Sequence, residues 1–156
     1  MKHFFILICL LIVSIFLFGQ DNDEIPKGVN KIIVNTGLTE QENLKIIIGK
    51  LRKEEYSIQR VDSISYQIQT SPKKFKSSSY TYTFHFNIFE GKFNVSSFYN
   101  SNTGVQIMGL VFNDSGQELI TTKNKNSFQN KVFREMKGIV LDLFDSSRIE
   151  YNFSKK

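Results

Sequence analysis

The stretch from Tyr80 to Tyr99, YTYTFHFNIFEGKFNVSSFY, leaves a backbone little choice. Tyr80, Tyr82, Phe84, Phe86 and Ile88 alternate with Thr81, Thr83, His85 and Asn87, the period-two pattern of a strand with one buried face. Glu90-Gly91 reads as a two-residue turn, and a turn of that length sets which residues face one another. Ile88 is expected opposite Phe93, Phe86 opposite Val95, Phe84 opposite Ser97 and Tyr82 opposite Tyr99. On the reverse face Asn87 should meet Asn94, His85 meet Ser96, and Thr83 meet Phe98. One side of the hairpin is aromatic and suited to receive helices; the other is polar and almost uncharged.

A second unit runs from Lys31 to Ile58. Ile32, Ile33 and Val34 are β-branched neighbours and suit a strand buried on at least one face. Asn35-Thr36-Gly37 breaks the run with turn chemistry. Thr39 and Glu42 then form a capping box, the cap alone contributing ~1 kcal/mol, and Glu40 and Glu42 complement the helix dipole. Leu44, Ile47, Ile48 and Leu51 make one apolar stripe, while Lys45, Lys50, Arg52 and Lys53 are expected to face elsewhere. Gly49 weakens such a helix by up to ~1 kcal/mol, and a close helix–sheet approach would account for it.

The first nineteen residues are of another kind. Lys2 and His3 precede Phe4 to Phe18, a run without charge, and Gly19-Gln20 follows. As a helix the run would rise roughly 22 Å, short of the ~30 Å hydrocarbon core of a bilayer. The pattern is that of a secretory signal peptide cut after Gly19, although Leu17 is larger than a signal peptidase prefers. Export to the periplasm or cell surface is therefore the expectation. An uncleaved N-terminal anchor is the alternative, and membrane contact is expected only in that case. Cys9 lacks the preceding small residue of a lipoprotein cleavage site. It is also the only cysteine, so the mature chain would have no disulfide, thiol nucleophile or thiolate ligand. The whole chain carries 20 Lys and Arg against 15 Asp and Glu. These cations are scattered and read as solvated surface, apart from Lys73, Lys74 and Lys76 in an expected loop.

Residues 20–30 hold Asp21-Asn22-Asp23-Glu24 and Pro26 and are expected to be a mobile leader. The acidic run is similar to the start of an EF-hand loop but lacks its later Gly and Glu, which excludes that calcium site. After the first helix, Tyr56 to Arg60 should join the sheet, Val61-Asp62-Ser63 should turn, and Ile64, Tyr66 and Ile68 should alternate with Ser65, Gln67 and Gln69 in a half-buried strand. Pro72 and the following lysines end it. Further on, Val105 to Phe112 is expected as one strand, residues 113–116 as a turn and Glu118 to Thr121 as its return. Asn126 or Ser127 should cap a second helix, with Phe128, Val132, Met136, Ile139, Val140 and Leu143 on a broad apolar face. The expected organisation is a single domain over 31–147 and a C-terminal tail over 148–156 that either adds an edge strand or stays loose.

The order strand, helix, several strands, helix, with Lys31-Ile-Ile-Val-Asn-Thr-Gly-Leu-Thr-Glu-Gln-Glu-Asn-Leu leading into Tyr56-Ser-Ile, resembles a family of uncharacterised bacterial exported proteins. The resemblance covers Lys31 to Thr70 and Phe128 to Leu143. It implies an α+β domain similar to the TATA-binding-protein-like fold, a curved antiparallel sheet with two helices packed on one face in the order β-α-β-β-β-β-α. The family supplies no activity and no catalytic residues, and fold likeness does not imply DNA binding.

Beyond the leader His85 is the only histidine. It could serve as a general base on the open sheet face, but no carboxylate in the expected neighbouring strands orients it, and a polar residue on a solvated strand is the simpler reading. With one histidine and no cysteine, a zinc site would need several carboxylates to converge, and no such grouping shows in the sequence. Asp142 and Asp145 are expected on one face of the second helix, as a solvated helix end rather than an acid–base pair. No phosphate loop, Gly-rich fingerprint or nucleophile elbow occurs. The open face is expected to present Ser65, Gln67, Gln69, Thr83, His85, Asn87, Asn94, Ser96 and Phe98, without Lys or Arg, so nucleic acid is not the expected partner. Amides and hydroxyls suit a protein, peptide or glycan instead. The expectation is therefore an exported, non-catalytic binding or envelope-associated module, without catalytic residues, metal or cofactor, whose candidate contact residues are Gln67, Thr83, His85, Asn94, Ser96 and Phe98. The alternative is an unrecognised hydrolase built on His85.

Overall fold

The computed structural model describes residues 25–76, 79–101, 105–107, 110–112 and 117–154. The expected export segment, residues 1–19, lies outside them, as do the expected turn residues 113–116. Among the described residues no helix is long and apolar enough to cross a membrane.

The chain is α+β. Strand β1 (Val29–Asn35) leads to helix α1 (Glu40–Lys53), then β2 (Ile58–Asp62), β3 (Gln67–Thr70), the two-residue β4 (Lys73–Lys74), and the long hairpin β5 (Tyr80–Phe89) and β6 (Lys92–Ser101). Short strands β7 (Val105–Ile107), β8 (Leu110–Phe112) and β9 (Glu118–Leu119) follow, then helix α2 (Phe128–Leu141), a 3-10 turn, and β10 (Ile149–Phe153). The sheet is open and antiparallel, in the order β10-β1-β6-β5-β3-β2, with β4 added to β5 and β9 to β6; β7 and β8 pair separately. The observed order thus has more strands than the expected β-α-β-β-β-β-α.

The hairpin pairs as its turn length dictates: Ile88 with Phe93, Phe86 with Val95, Phe84 with Ser97, His85 with Ser96 and Thr83 with Phe98. Phe84 and Phe86 are buried on one side, together with Ile32 and Val34 of β1, Val95 of β6 and Ile68 of β3. Both helices cover that side. Ile47 and Leu51 of α1 and Val132, Phe133, Met136 and Val140 of α2 join the same core cluster. Thr39 caps α1 through the full capping box with Glu42, and Ser127 caps α2.

The hairpin tip is held by the loop that starts α1. Thr36 N and Gly37 N both donate to Gly91 O, at 2.8 and 2.9 Å, and Gly91 N donates to Leu38 O at 3.0 Å. Gly37 and Gly91 have φ of 70° and 74°, a region that favours glycine over residues with a side chain.

Several expectations need correction. The turn after β2 occupies residues 63–66 rather than 61–63. Asp62 Oδ1 accepts from the N–H groups of Ile64 and Ser65, each at 3.0 Å, which folds the chain back locally and leaves Ile64 92% exposed rather than on a strand. Those bonds, the Ser65 N–H first, hold the Asp62 carboxyl down at about 2. The stretch expected as one strand from Val105 to Phe112 is the β7–β8 pair. Residues 25–30 of the expected leader belong to the fold, with Ile25 and Val29 buried, and the tail supplies β10, paired along β1. Lys50 is not turned to solvent. It is buried between Glu54 and Asp142, each 2.7 Å from its Nζ, and ties the two helices together. Asp142 is accordingly the C-cap of α2 and an ion-pair partner.

Gly49 makes no close approach to the sheet: a Cβ there would meet nothing within 4 Å, and the same holds for Gly138 in α2. Gly49→Ala and Gly138→Ala are each expected to stabilise the fold by about 1 kcal/mol, since alanine restricts the unfolded chain and costs no packing. Urea unfolding should show a raised midpoint at unchanged slope; a lowered midpoint in either variant would contradict the open placement.

Candidate functional site

Directly opposed residues of antiparallel strands share a face, so the pairings assemble two rows across the sheet surface away from the helices. One row runs Arg60, Gln69, His85, Ser96, Lys31, Asn152; the next runs Asp62, Gln67, Asn87, Asn94, Ile33, Glu150. The centre is amide, imidazole and hydroxyl, as the hairpin alternation implies. The flanks are not neutral. Arg60 and Lys31 bracket one row, Asp62 and Glu150 the other, which corrects the expectation of a face without Lys or Arg. Ser65, placed on this face by the sequence reading, sits in the turn instead.

The six candidate residues do not all reach solvent. Thr83 and Ser96 are only 3% and 5% exposed. The His85 and Phe98 rings pack 4.5 Å apart, and each hydroxyl residue lies directly opposite one of these rings. Gln67 is exposed, and His85, Asn94 and Phe98 are half-buried. The accessible set therefore comprises Gln67, His85, Asn94 and Phe98, supplemented by Gln69 and Asn87.

Asn87 Nδ2 donates to Asn94 Oδ1 at 3.3 Å, and Thr83 Oγ1 lies 3.3 Å from His85 Nε2. No carboxylate among the described residues hydrogen-bonds His85. Burial pushes the His85 pKa below the ordinary value and favours neutral imidazole. The surface here dips by only about 50 Å³, between Arg60, Gln67, Gln69, His85 and Asn87, too little to enclose a drug-sized molecule. Among the described residues no three His, Cys, Asp or Glu side chains are grouped to hold a metal ion.

A second polar cluster, on the helix side, has no trace in the sequence reading. Glu135 of α2 accepts at one oxygen, Oε1, from the Tyr56 hydroxyl, from the Tyr82 hydroxyl at 2.7 Å and from Lys73 Nζ at 2.8 Å. Lys73 Nζ also lies 4.1 Å from the centre of the Tyr56 ring. Burial would raise the Glu135 carboxyl, but the bonds from Lys73, Tyr56 and Tyr82 outweigh it and hold the group below its ordinary value. Both phenols are pushed well above the ordinary range, by burial first and then by donation to Glu135. Tyrosines kept protonated and buried at 7% and 3% exposure are structural donors rather than a reactive pair.

The pH consequence has a definite sign. A phenol whose folded pKa is raised contributes stability that is fully present below the unfolded value of about 10 and lost as pH rises above it. In an alkaline titration Tyr56 and Tyr82 should yield phenolate absorbance only together with loss of the far-ultraviolet circular dichroism. Complete, reversible ionisation of all six tyrosines in the folded protein would refute the burial of this cluster.

No family model matches the chain, and no curated protein matches it.

Proposed function

We propose that this chain is an exported, non-catalytic binding or envelope-associated module that meets a protein, peptide or glycan partner through the outer face of its sheet. The same reading takes it as a relative of the exported bacterial proteins with the TATA-binding-protein-like arrangement that its sequence resembles. One observation carries the proposal: two adjacent rows of mostly polar side chains, interrupted by Ile33, cross a surface that dips by only about 50 Å³ beside His85. Amides bind a polar partner without the cost of burying unpaired charge. The opposite charges flanking the rows offset each other, which suits a neutral or mixed-charge partner better than the uniform phosphates of nucleic acid. Flatness favours an extended or macromolecular partner over a small substrate.

Peptide and glycan arrays probed with the chain from Gln20 onward test this reading. Binding should be saturable and should weaken with Gln69→Ala and Phe98→Ala. Hydrolase turnover that disappears in His85→Ala would replace this function with the enzymatic alternative. The export component is checked separately, by mass spectrometry of the protein from its native host: a mature chain starting at Gln20 is expected, and one retaining Phe4 to Phe18 would make it an anchored protein.

A further inference from the structure

A different cavity lies where the segment before β1, the segment before α2 and the first turns of α2 meet. It has a volume of about 270 Å³, and Lys27, Lys123, Lys125 and Arg134 line it together with Ile25 and Asn130. No carboxylate of the described residues is in its lining. Lys27, Lys123 and Arg134 form no ion pair among the described residues. Like charges gathered around a concavity repel one another, and an anion placed between them relieves that repulsion.

The walls are held by buried side chains. Thr122, 1% exposed, accepts from Val29 N at 2.8 Å and donates to Pro26 O at 2.7 Å. Two backbone bonds complete the clasp, Gly28 N to Thr122 O at 2.9 Å and Thr122 N to Val29 O at 2.8 Å. Asn130, 4% exposed, accepts from Lys123 N at 2.9 Å. Lys27 and Lys123 therefore leave from pinned backbone. Arg134 lies four residues after Asn130 and so on the same helix face. Lys27, Lys123 and Arg134 are themselves exposed, and a ligand seated among them must offset the entropy of ordering their side chains through its charge contacts.

We infer that this cavity is a binding site for a phosphate group carried on a small organic body. Arginine offers a planar fork that matches phosphate oxygens, and the lysines add point charge around it. The volume equals the liquid share of about nine waters and falls below the ~300 Å³ at which drug-sized ligand sites begin. That leaves room for a phosphomonoester, a diphosphate or the phosphate of a lipid headgroup, but not for a nucleotide with its base enclosed. The site shares no lining residue with the depression on the open sheet face, and the inference is independent of the function proposed for that face.

Calorimetric titration of the chain from Gln20 onward with inorganic pyrophosphate and with glycerol phosphate tests the soluble source. Co-sedimentation with phosphatidylcholine vesicles, with and without phosphatidic acid, tests the headgroup. Asp21, Asp23 and Glu24 directly precede Ile25, so each measurement is repeated with Asp21→Asn, Asp23→Asn and Glu24→Gln combined. The expected result is saturable binding in at least one arm. It should weaken by about tenfold or more in Arg134→Gln and in Lys123→Gln, the effect of losing a charged hydrogen bond, with melting temperatures retained. Gln69→Ala on the open face should leave it unchanged. Absence of binding to every probe in both chains, or binding indifferent to Arg134→Gln and Lys123→Gln, overturns the inference.

Discussion

Replacing Glu135 by alanine is expected to destabilise the fold by about 3–5 kcal/mol, because buried donors left without an acceptor cost about 1–3 kcal/mol each. Two such donors exist: the Tyr56 and Tyr82 hydroxyls end on the same carboxylate oxygen, inside a layer where neither ring is more than 7% exposed. Lys73 adds less, since its side chain is 45% exposed and recovers water when released. Glu135→Gln keeps an acceptor in place and should cost less than half as much. Tyr82→Phe should hurt less in the Glu135→Ala background than in the natural chain, because it then removes an orphaned hydroxyl; the difference measures the coupling. Urea unfolding of the natural chain, the three single variants and the double variant reads all of this. A loss under about 1 kcal/mol for Glu135→Ala would mean that the phenols find other partners. The carboxyl also carries an acid limb: its folded pKa is lowered, so its contribution is present above the unfolded value and lost as pH falls through the folded one.

Phe84→Ala should cost about 3–5 kcal/mol, the range for truncating a buried aromatic ring. Phe84 is fully buried, and its ring centre lies 5.4 Å from both Tyr56 and Tyr82, so the cavity opens at the middle of the packed layer. Phe89, 47% exposed near the hairpin tip, serves as the control and should lose under about 1 kcal/mol on the same substitution. Equal losses at the two positions would mean that the alternation along β5 has been assigned to the wrong faces. A domain of this size has about 5–15 kcal/mol in hand, so either substitution alone removes a large share of it.

What could be read ahead of the structure was local. A two-residue turn and strict alternation set the β5–β6 register, and Thr39 with Glu42 marked the start of α1, because both signals act within a few residues. Ile64 misled for the same reason: it keeps the alternation, yet Asp62 two residues earlier draws the backbone into a turn. Everything that depends on distant partners was invisible. Lys50 sits among charged neighbours along α1, and its partner Asp142 comes from the other helix. Tyr56, Lys73 and Tyr82 gave no sign of converging on Glu135. The candidate face was half legible. Parity along β5 and β6 placed His85, Asn87 and Asn94 on it, but Arg60, Lys31 and Glu150 joined only once the sheet order was known. The four cations around the second cavity looked scattered because two chain segments far apart in sequence supply them.

The clasp at Gly91 also decides where this protein can be handled. A peptide spliced between Glu90 and Gly91 would part the strand tip from the amides of Thr36 and Gly37 and loosen the start of α1. The turn around Ile64 is already in water, so an affinity tag, a fluorophore or a photo-crosslinker attached there displaces only solvent. A photo-crosslinker there sits beside Asp62 and Gln67, at the end of one polar row, and so within reach of a partner held on the sheet surface.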